Sequence, residues 1–227
     1  MPNTVFLSAG SMQPSNYFLD NFVAHKLSLL TECGAPEISS QNGWLNLFIL
    51  TTVFKAAPPQ KKRTYIFNFL RRSEGAFFAY QQARLALLEY VQSPRNVISP
   101  YFRALLNFEV CISQCYQGYE LLKTATGEKL YEPNDKSEME RLRALYVASK
   151  HMDRMIDGGK IPTKATAALW ITNQGLESVR ASVSFTELTD LLASMGRLAD
   201  TLSKLEPPTS NQSLNSDASP EGGSPVS

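Results

Sequence analysis

Two long helical patterns that follow one another constrain most strongly what this chain can fold into. The first runs from Tyr65 to about Val91, where apolar residues repeat over about seven turns of 3.6 residues each. The second follows Pro100, with apolar side chains at steps of 3, 1, 3, 4 and 3 residues: Phe108, Cys111, Ile112, Cys115, Tyr119 and Leu122. Stripes of this period are typical of amphipathic helices that place one face in a core. The fold class is therefore predicted to be mainly α.

Four further segments carry helical signals. The first has apolar residues at three- and four-residue steps and ends before Gly34, and the second is apolar nearly all round, which predicts a buried helix ahead of Pro58. The third stops at Gly158, as expected of a C-terminal glycine. The fourth opens with a capping box, in which the Ser184 oxygen accepts an early helical N–H while Glu187 reaches back. Their predicted ranges are 15–33, 44–57, 136–156 and 184–205.

The segment ahead of the last helix has a different rhythm. Val179, Ala181 and Val183 alternate with polar residues at period two, which predicts a strand. With residues 169–171 ahead of the turn signal at 173–175, this strand predicts a small β-hairpin that packs on the helices. The expected architecture is a single domain over residues 1–206, a helical bundle of about five or six helices with this hairpin. Residues 207–227 are polar and are predicted to form a disordered tail.

Composition limits the function classes that remain open. A hydrophobic fraction of 43% is enough to close a sizeable core, and a net charge of +1 is too weak to imply nucleic acid by itself. The 3 cysteines show no CxxC spacing, so Cys111 and Cys115 are predicted to be buried apolar groups, and no metal or cofactor site is predicted. The first residues lack a signal-peptide pattern, and the longest apolar run is far shorter than the roughly 20 residues of a membrane-spanning helix. A cytoplasmic protein without a membrane segment is expected.

Chemistry-bearing residues concentrate in the predicted helix 136–156. Tyr146, Lys150 and His151 lie close together there, flanked by Arg143 and Arg154. Arg154 shares the helix face of the histidine, whereas Arg143 lies about 80° away. Nearby cations favour a neutral imidazole, which can act as general base on the 2′-hydroxyl of an RNA phosphodiester. The simpler interpretation is a solvated polar helix face.

The two long helices, the second containing NFEVCISQCYQGYELL, and the pattern Tyr146-x-x-x-Lys150-His151 resemble HEPN domains. These are helical modules named for their occurrence in higher eukaryotes and prokaryotes with nucleotide binding. The resemblance covers about residues 65–156. Catalytic members of that family are metal-independent ribonucleases that dimerise and pair an Arg with a His, with four to six residues between the two. His151 matches the family histidine.

The family arginine has no match at the usual spacing, because residues 144–146 are Ala, Leu and Tyr and the nearest arginine is the displaced Arg143. The resemblance therefore implies a non-catalytic, homodimeric binding or interaction module, in a prokaryotic defence or toxin–antitoxin setting, with a protein or RNA partner. Tyr146 and Lys150 are then candidate binding residues. The alternative is a metal-independent endoribonuclease that uses His151 with Arg143 or Arg154 across a dimer interface. A third interpretation is a purely structural, partner-binding protein without affinity for nucleic acid.

A second cluster of cations lies at the start of the first long helix. Lys61, Lys62 and Arg63 come first, with two further arginines at 71 and 72, and aromatic residues are interleaved at 65, 67 and 69. Cations neutralise phosphates while an aromatic ring stacks on a base, so this cluster is a candidate nucleic-acid contact. The alternative is a solubilising surface beside aromatic residues that belong to the core.

Overall fold

Seven α-helices and three short strands lie within the residues that the computed structural model describes, which are 15–39, 43–54, 58–94, 97–127, 129, 131–159, 161 and 167–204. The tail predicted at 207–227 lies outside these ranges. In chain order the elements are α1 Asn16–Phe18, α2 Trp44–Phe54, α3 Gln60–Gln92, α4 Ser99–Thr126, α5 Glu138–Lys150, α6 Met152–Asp157, β1 Leu169–Ile171, β2 Gly175–Ser178, β3 Ser182–Ser184 and α7 Phe185–Ser203. The predicted mainly α fold with a small sheet before the last helix is confirmed.

The two longest helices, α3 and α4, form an antiparallel hairpin whose inner face is the main part of the core. The Tyr80 ring of α3 lies 6.0 Å from the Phe108 ring of α4, which in turn lies 5.2 Å from Phe185 at the start of α7. All three side chains are almost fully buried. The predicted start of α3 was five residues late, because the helix begins at Gln60, directly after Pro59. The polar residues 60–63 form its first turn.

The small sheet has three antiparallel strands in the order β1-β2-β3, one more than the predicted hairpin. Its apolar residues, including Leu169, Ile171 and Leu176, are buried against the helices. The predicted strand through Val179 was wrong, because Ser178 closes a tight turn there by accepting hydrogen bonds from the backbone of residues 180 and 181. Val179 is exposed in that turn.

The start of α7 carries the predicted capping box. The Ser184 hydroxyl accepts from the Glu187 N–H at 3.1 Å, and the Glu187 carboxylate accepts from the Ser184 N–H at 2.8 Å. This reciprocal pair satisfies backbone groups that a helix start would otherwise leave unpaired. The strand β3 therefore passes directly into α7 without a loop.

The helix predicted over 15–33 is wrong. The α1 turn continues as a single π-helical turn to Val23, after which Ala24 is extended and Lys26 is left-handed with φ 58°. The Asp20 carboxylate accepts from both the N–H and the hydroxyl of Ser28, at 2.7 and 2.6 Å. This local contact competes with a continuous helix, as aspartate and serine side chains often do.

Helix α2 forms as predicted, but it is not a buried helix. Trp44 and Phe48 are buried, and the Trp44 indole donates to Asp200 of α7 at 2.8 Å. Leu45 is partly buried against the core. Five further large apolar side chains of α2 are exposed: Leu47, Ile49, Leu50, Val53 and Phe54. Among the described residues, one edge of this helix contacts the rest of the bundle, so the all-apolar sequence of α2 did not predict its exposure. Residues 55–57, which the prediction included, lie outside the described part.

The helix predicted over 136–156 is interrupted. Helix α5 ends at Lys150 and α6 begins at Met152, with His151 between them at φ −116° and ψ 42°. Met152 was expected on the apolar side and is exposed, whereas Met155 is buried. Gly159, in a left-handed conformation, follows the end of α6. None of the described helices has both the length and the apolar character needed to cross a bilayer.

Candidate functional site

The predicted helix with His151 contributes to a cluster of three tyrosines between α4, α5 and the loop that joins them. The Tyr116 ring of α4 lies 4.8 Å from the Tyr146 ring of α5, with 30° between the ring planes. The Gln117 amide also lies 3.5 Å from the Tyr146 hydroxyl. Tyr131, in the connecting loop, completes this tyrosine cluster and packs partly buried against the core. The cluster fixes the position of α5 on α4.

Three cations lie over the rings of the tyrosine cluster. Lys150 has its ammonium 5.4 Å from the centre of the Tyr146 ring. Lys123 and Arg143 lie 6.0 and 5.9 Å from the centre of the Tyr131 ring. Contacts of this length at partly exposed sites contribute about 0.5–1 kcal/mol each. The side chains of Lys150 and Arg143 are therefore oriented by aromatic rings within the same chain.

One carboxylate, that of Glu120, lies close to the cations of the tyrosine cluster. Its Oε1 atom is buried and accepts no hydrogen bond within the described residues, although the Lys123 ammonium is 3.6 Å away. Burial raises the pKa of the Tyr116 hydroxyl, and the neighbouring Glu120 and Tyr131 raise it further. Tyr116 therefore stays neutral at physiological pH, and the tyrosine cluster offers packing and positive charge instead of an acid–base pair.

His151 lies at the break between α5 and α6 and is partly exposed. Arg143 lies eight residues earlier, about 12 Å along the axis of an α-helix, and its guanidinium is directed to Tyr131. Arg154 is an exposed residue of α6. The break at His151 also removes the single helix on which the shared face of His151 and Arg154 was predicted. Within one chain, the structure brings Arg143 together with Tyr131 and not with the histidine.

The cationic cluster at the start of α3 is divided between two sides of the helix. Lys61 and Lys62 line a groove between α3, α4 and α7, whereas Arg63 lines a smaller cavity against α2. The interleaved aromatic residues divide in the same way, because Tyr65 lines the groove and Phe67 lines the smaller cavity. Because the two lysines line one cavity and Arg63 lines the other, this cluster is not one surface.

The groove beside Lys61 and Lys62 has a cavity volume of about 620 Å³. Its walls are mostly apolar and come from three helices: Tyr65, Ile66, Phe69, Leu121, Leu122 and Leu202. Among the described residues, no Asp or Glu lines it. This groove joins the two lysines to an apolar surface that the sequence pattern had assigned to the core alone.

The remaining predictions concern thiols and metals. Cys111 and Cys115 are fully buried, as predicted, and burial raises the pKa of the Cys115 thiol to about 12. These thiols are therefore protonated apolar groups of the core. In the described ranges, no group of three or more His, Cys, Asp or Glu side chains is arranged to hold a metal ion.

Several residues of the site were not identified from the sequence. Tyr116, Glu120 and Lys123 lie at positions i, i+4 and i+7 of α4, a spacing that places them on one helix face. That spacing was visible in the sequence, but it predicts a shared face without saying which helix covers it. Tyr131 lies in a loop, where no period indicates a contact.

Comparison of this chain with protein-family models, with curated proteins and with solved structures found no match.

Proposed function

We propose that this protein is a non-catalytic helical interaction module that works as a homodimer. The observation that carries the proposal is an apolar surface on the outer side of the α3–α4 hairpin. Five large side chains of these helices are exposed there and together are called the hairpin face: Phe78, Leu85, Phe102, Leu106 and Val110. Large apolar side chains grouped on a surface, unlike scattered ones, are typical of interaction sites.

Helix geometry makes the hairpin face continuous. Phe78 and Leu85 are seven residues apart and point in nearly the same direction from α3, while Phe102, Leu106 and Val110 follow one another at four-residue steps on α4. Exposed fractions of 64% for Phe78 and 60% for Leu106 show that the described part of the chain covers neither side chain. The two rows lie side by side because the helices are antiparallel neighbours.

Two polar bridges between the helices mark the ends of the hairpin face. Arg103 forms an ion pair with Glu89 at 2.6 Å, and Arg72 donates to Gln114 at 2.8 Å. Phe78 and Leu85 of α3 lie between positions 72 and 89, and Leu106 and Val110 of α4 lie between positions 103 and 114, whereas Phe102 lies one residue outside the bridge. An apolar centre with polar ends is the usual arrangement of a protein–protein interface.

The area of the hairpin face fits a second copy of the chain. With about 200 Å² for each large apolar side chain, the exposed fractions correspond to roughly 500 Å² of apolar surface. A stable interface buries about 800 Å² on each partner, of which the core is apolar and the rim polar. Two hairpin faces related by a two-fold axis would bury this area in the isologous way that is commonest among homodimers.

The geometry around His151 supports a function without catalysis. General acid–base work on a phosphodiester needs the imidazole and a cation at the same phosphate. Arg143 instead contacts Tyr131, and the imidazole of His151 lies at a helix break. The endoribonuclease alternative therefore depends on a cation from a partner chain or on Arg154. The family setting in prokaryotic defence, and a protein or RNA as the further partner, belong to this proposal through the HEPN resemblance alone.

Measurement of molar mass by sedimentation of the full-length chain tests the dimer. We expect the wild type to form dimers and Leu106→Glu to weaken dimerisation by about tenfold or more, because the change buries an unpaired charge. Ile156→Glu is a matched control, since Ile156 of α6 is a helical aliphatic residue with a similar exposed fraction of 57%. A wild type that remains monomeric at every concentration, or a Leu106→Glu variant that dimerises as well as the control, contradicts the proposal.

A further inference from the structure

We propose that the groove between α3, α4 and α7 binds a monomeric carboxylic acid with a long apolar chain. The carboxylate lies beside Lys61 and Lys62, and the chain lies along the apolar walls. This site is separate from the hairpin face, and the proposal does not depend on dimerisation. Its ligand is defined by chemistry: one anionic head and one unbranched apolar body.

The walls of the groove select an apolar body. Tyr65 and Phe69 of α3 face Leu121 and Leu122 of α4, with Leu202 of α7 as the third side. The cavity volume of about 620 Å³ lies within the range of small-molecule sites, which extends over about 300–1,000 Å³. Phe69 is already buried and forms the floor of the groove, whereas Tyr65 and the three leucines are partly exposed. Removal of these partly exposed apolar surfaces from water by a bound chain is the main favourable contribution to binding.

The two lysines select an anionic head. Lys61 and Lys62 are exposed at the rim, and neither ammonium forms an ion pair with a described carboxylate. The first turn of α3 contains no acidic residue and has no side-chain cap among the described residues, and the last turn of α4, residues 124–126, lines the same end of the groove. The negative end of the α4 dipole therefore opposes the positive end of the α3 dipole there, so the anionic head is selected by the two lysines. Charge complementarity therefore points to a carboxylate at this end of the groove.

The direction of the groove fits a chain that extends from that head. Phe69 lies eight residues after Lys61, about 12 Å along the axis of α3. Lys61 and Lys62 lie at one end of this span, and the apolar side chains of the groove lie along the rest of it. An RNA strand is a poorer fit, since its phosphates would need cations along the whole length and its base edges would need polar partners that Ile66 and Leu122 do not supply.

Titration calorimetry with decanoate, at concentrations below micelle formation, tests the proposal on the full-length protein. We expect saturable binding of one decanoate per chain, and decanol, which has the same chain without the charge, to bind about tenfold more weakly. The double variant Lys61→Glu/Lys62→Glu should weaken decanoate binding by about tenfold or more for the same reason. Leu121→Arg tests the apolar wall of the groove independently of the lysines. The longer side chain at position 121 would occupy the groove and should therefore weaken decanoate binding.

The matched control is Lys136→Glu/Arg180→Glu, which makes the same change of charge at exposed residues outside the groove. Its decanoate affinity should equal that of the wild type. The proposal is overturned if the wild type shows no saturable binding, or if both charge-reversal variants bind decanoate equally. Binding of the wild type to anionic lipid vesicles without binding of monomeric decanoate would also overturn it. Dimerisation is tested by molar mass and ligand binding by calorimetry. Failure of the homodimer proposal and failure of the ligand proposal can therefore be distinguished.

Discussion

The Tyr116 and Tyr146 rings are stacked with their centres 4.8 Å apart, and this contact joins α4 to α5 at the level of the candidate site. Lys150 lies over the outer face of the Tyr146 ring at 5.4 Å. Two residues that the sequence predicted for binding therefore have contacts within the chain. These contacts give Tyr146 a structural role that can be measured without knowledge of any partner.

The tyrosine stack should contribute measurably to stability. We expect a double-mutant cycle of Tyr116→Leu and Tyr146→Leu to give a coupling free energy of about 0.5–1.5 kcal/mol, as for other aromatic pairs. The measurement is urea unfolding of the wild type, both single variants and the double variant. If the losses of unfolding free energy in the two single variants add up to the loss in the double variant, the rings are neighbours without a favourable interaction.

The start of β2 leaves no space for a side chain at Gly175. A Cβ atom built there would lie 2.3 Å from the Val183 carbonyl oxygen of the neighbouring strand. We expect Gly175→Ala to lower the free energy of unfolding by about 1–3 kcal/mol, because backbone atoms of β3 must move.

A second glycine provides the matched control. At Gly75, inside α3, the nearest atom to a built Cβ is 3.4 Å away on the flexible Gln114 side chain. Gly75→Ala should therefore raise the free energy of unfolding by about 0.5–1 kcal/mol through helix propensity. Equal effects of the two substitutions in chemical denaturation would contradict the close approach at Gly175.

The partly buried carboxyl of Glu109 predicts a pH dependence of stability. Burial raises the pKa of Glu109, and a hydrogen bond with Ser149 lowers it by less. A carboxyl whose pKa is higher in the folded state favours folding at low pH, and this contribution is lost as the pH rises through the folded pKa. Glu109→Gln stays neutral at every pH. Its melting temperature relative to wild type should therefore increase from pH 4 to pH 7, with the variant the more stable at pH 7. A difference that is constant with pH would show that Glu109 is ionised without cost.

The contact of Arg143 with Tyr131 predicts that cleavage of RNA does not depend on His151. We expect wild type and His151→Ala to leave a mixed RNA pool intact in EDTA, because Arg143 contacts Tyr131 and the chain offers no pair for general base catalysis at the usual spacing. Gel analysis of the RNA after incubation measures this directly. Cleavage by the wild type that disappears in a folded His151→Ala variant would establish the endoribonuclease alternative.

Local sequence determined those parts of the fold in which a residue's partner is close in the chain. The stripe from Phe108 to Leu122 has one buried face in α4, and the capping box at Ser184 starts α7 as predicted, because helical period and capping act over a few residues. The break at Lys26 was also local, yet its cause is the contact of Asp20 with Ser28, which competes with helical hydrogen bonds that the apolar period favours equally well.

Tertiary structure decided which apolar faces are covered and which cations lie together. The apolar sequence of α2 predicts a buried helix, but the exposure of a helix depends on how many other elements pack against it. Among the described residues, the edge with Trp44 is the covered part of α2. In the same way, Lys62 and Arg63 are adjacent in the chain and lie at different cavities, because successive residues of a helix point in directions about 100° apart. The chain by itself determined a mainly α fold with two long helices. The packing of α4, α5 and α7 around them determined the tyrosine cluster, the groove and the hairpin face, since burial is a property of the whole assembly of helices and not of any one segment.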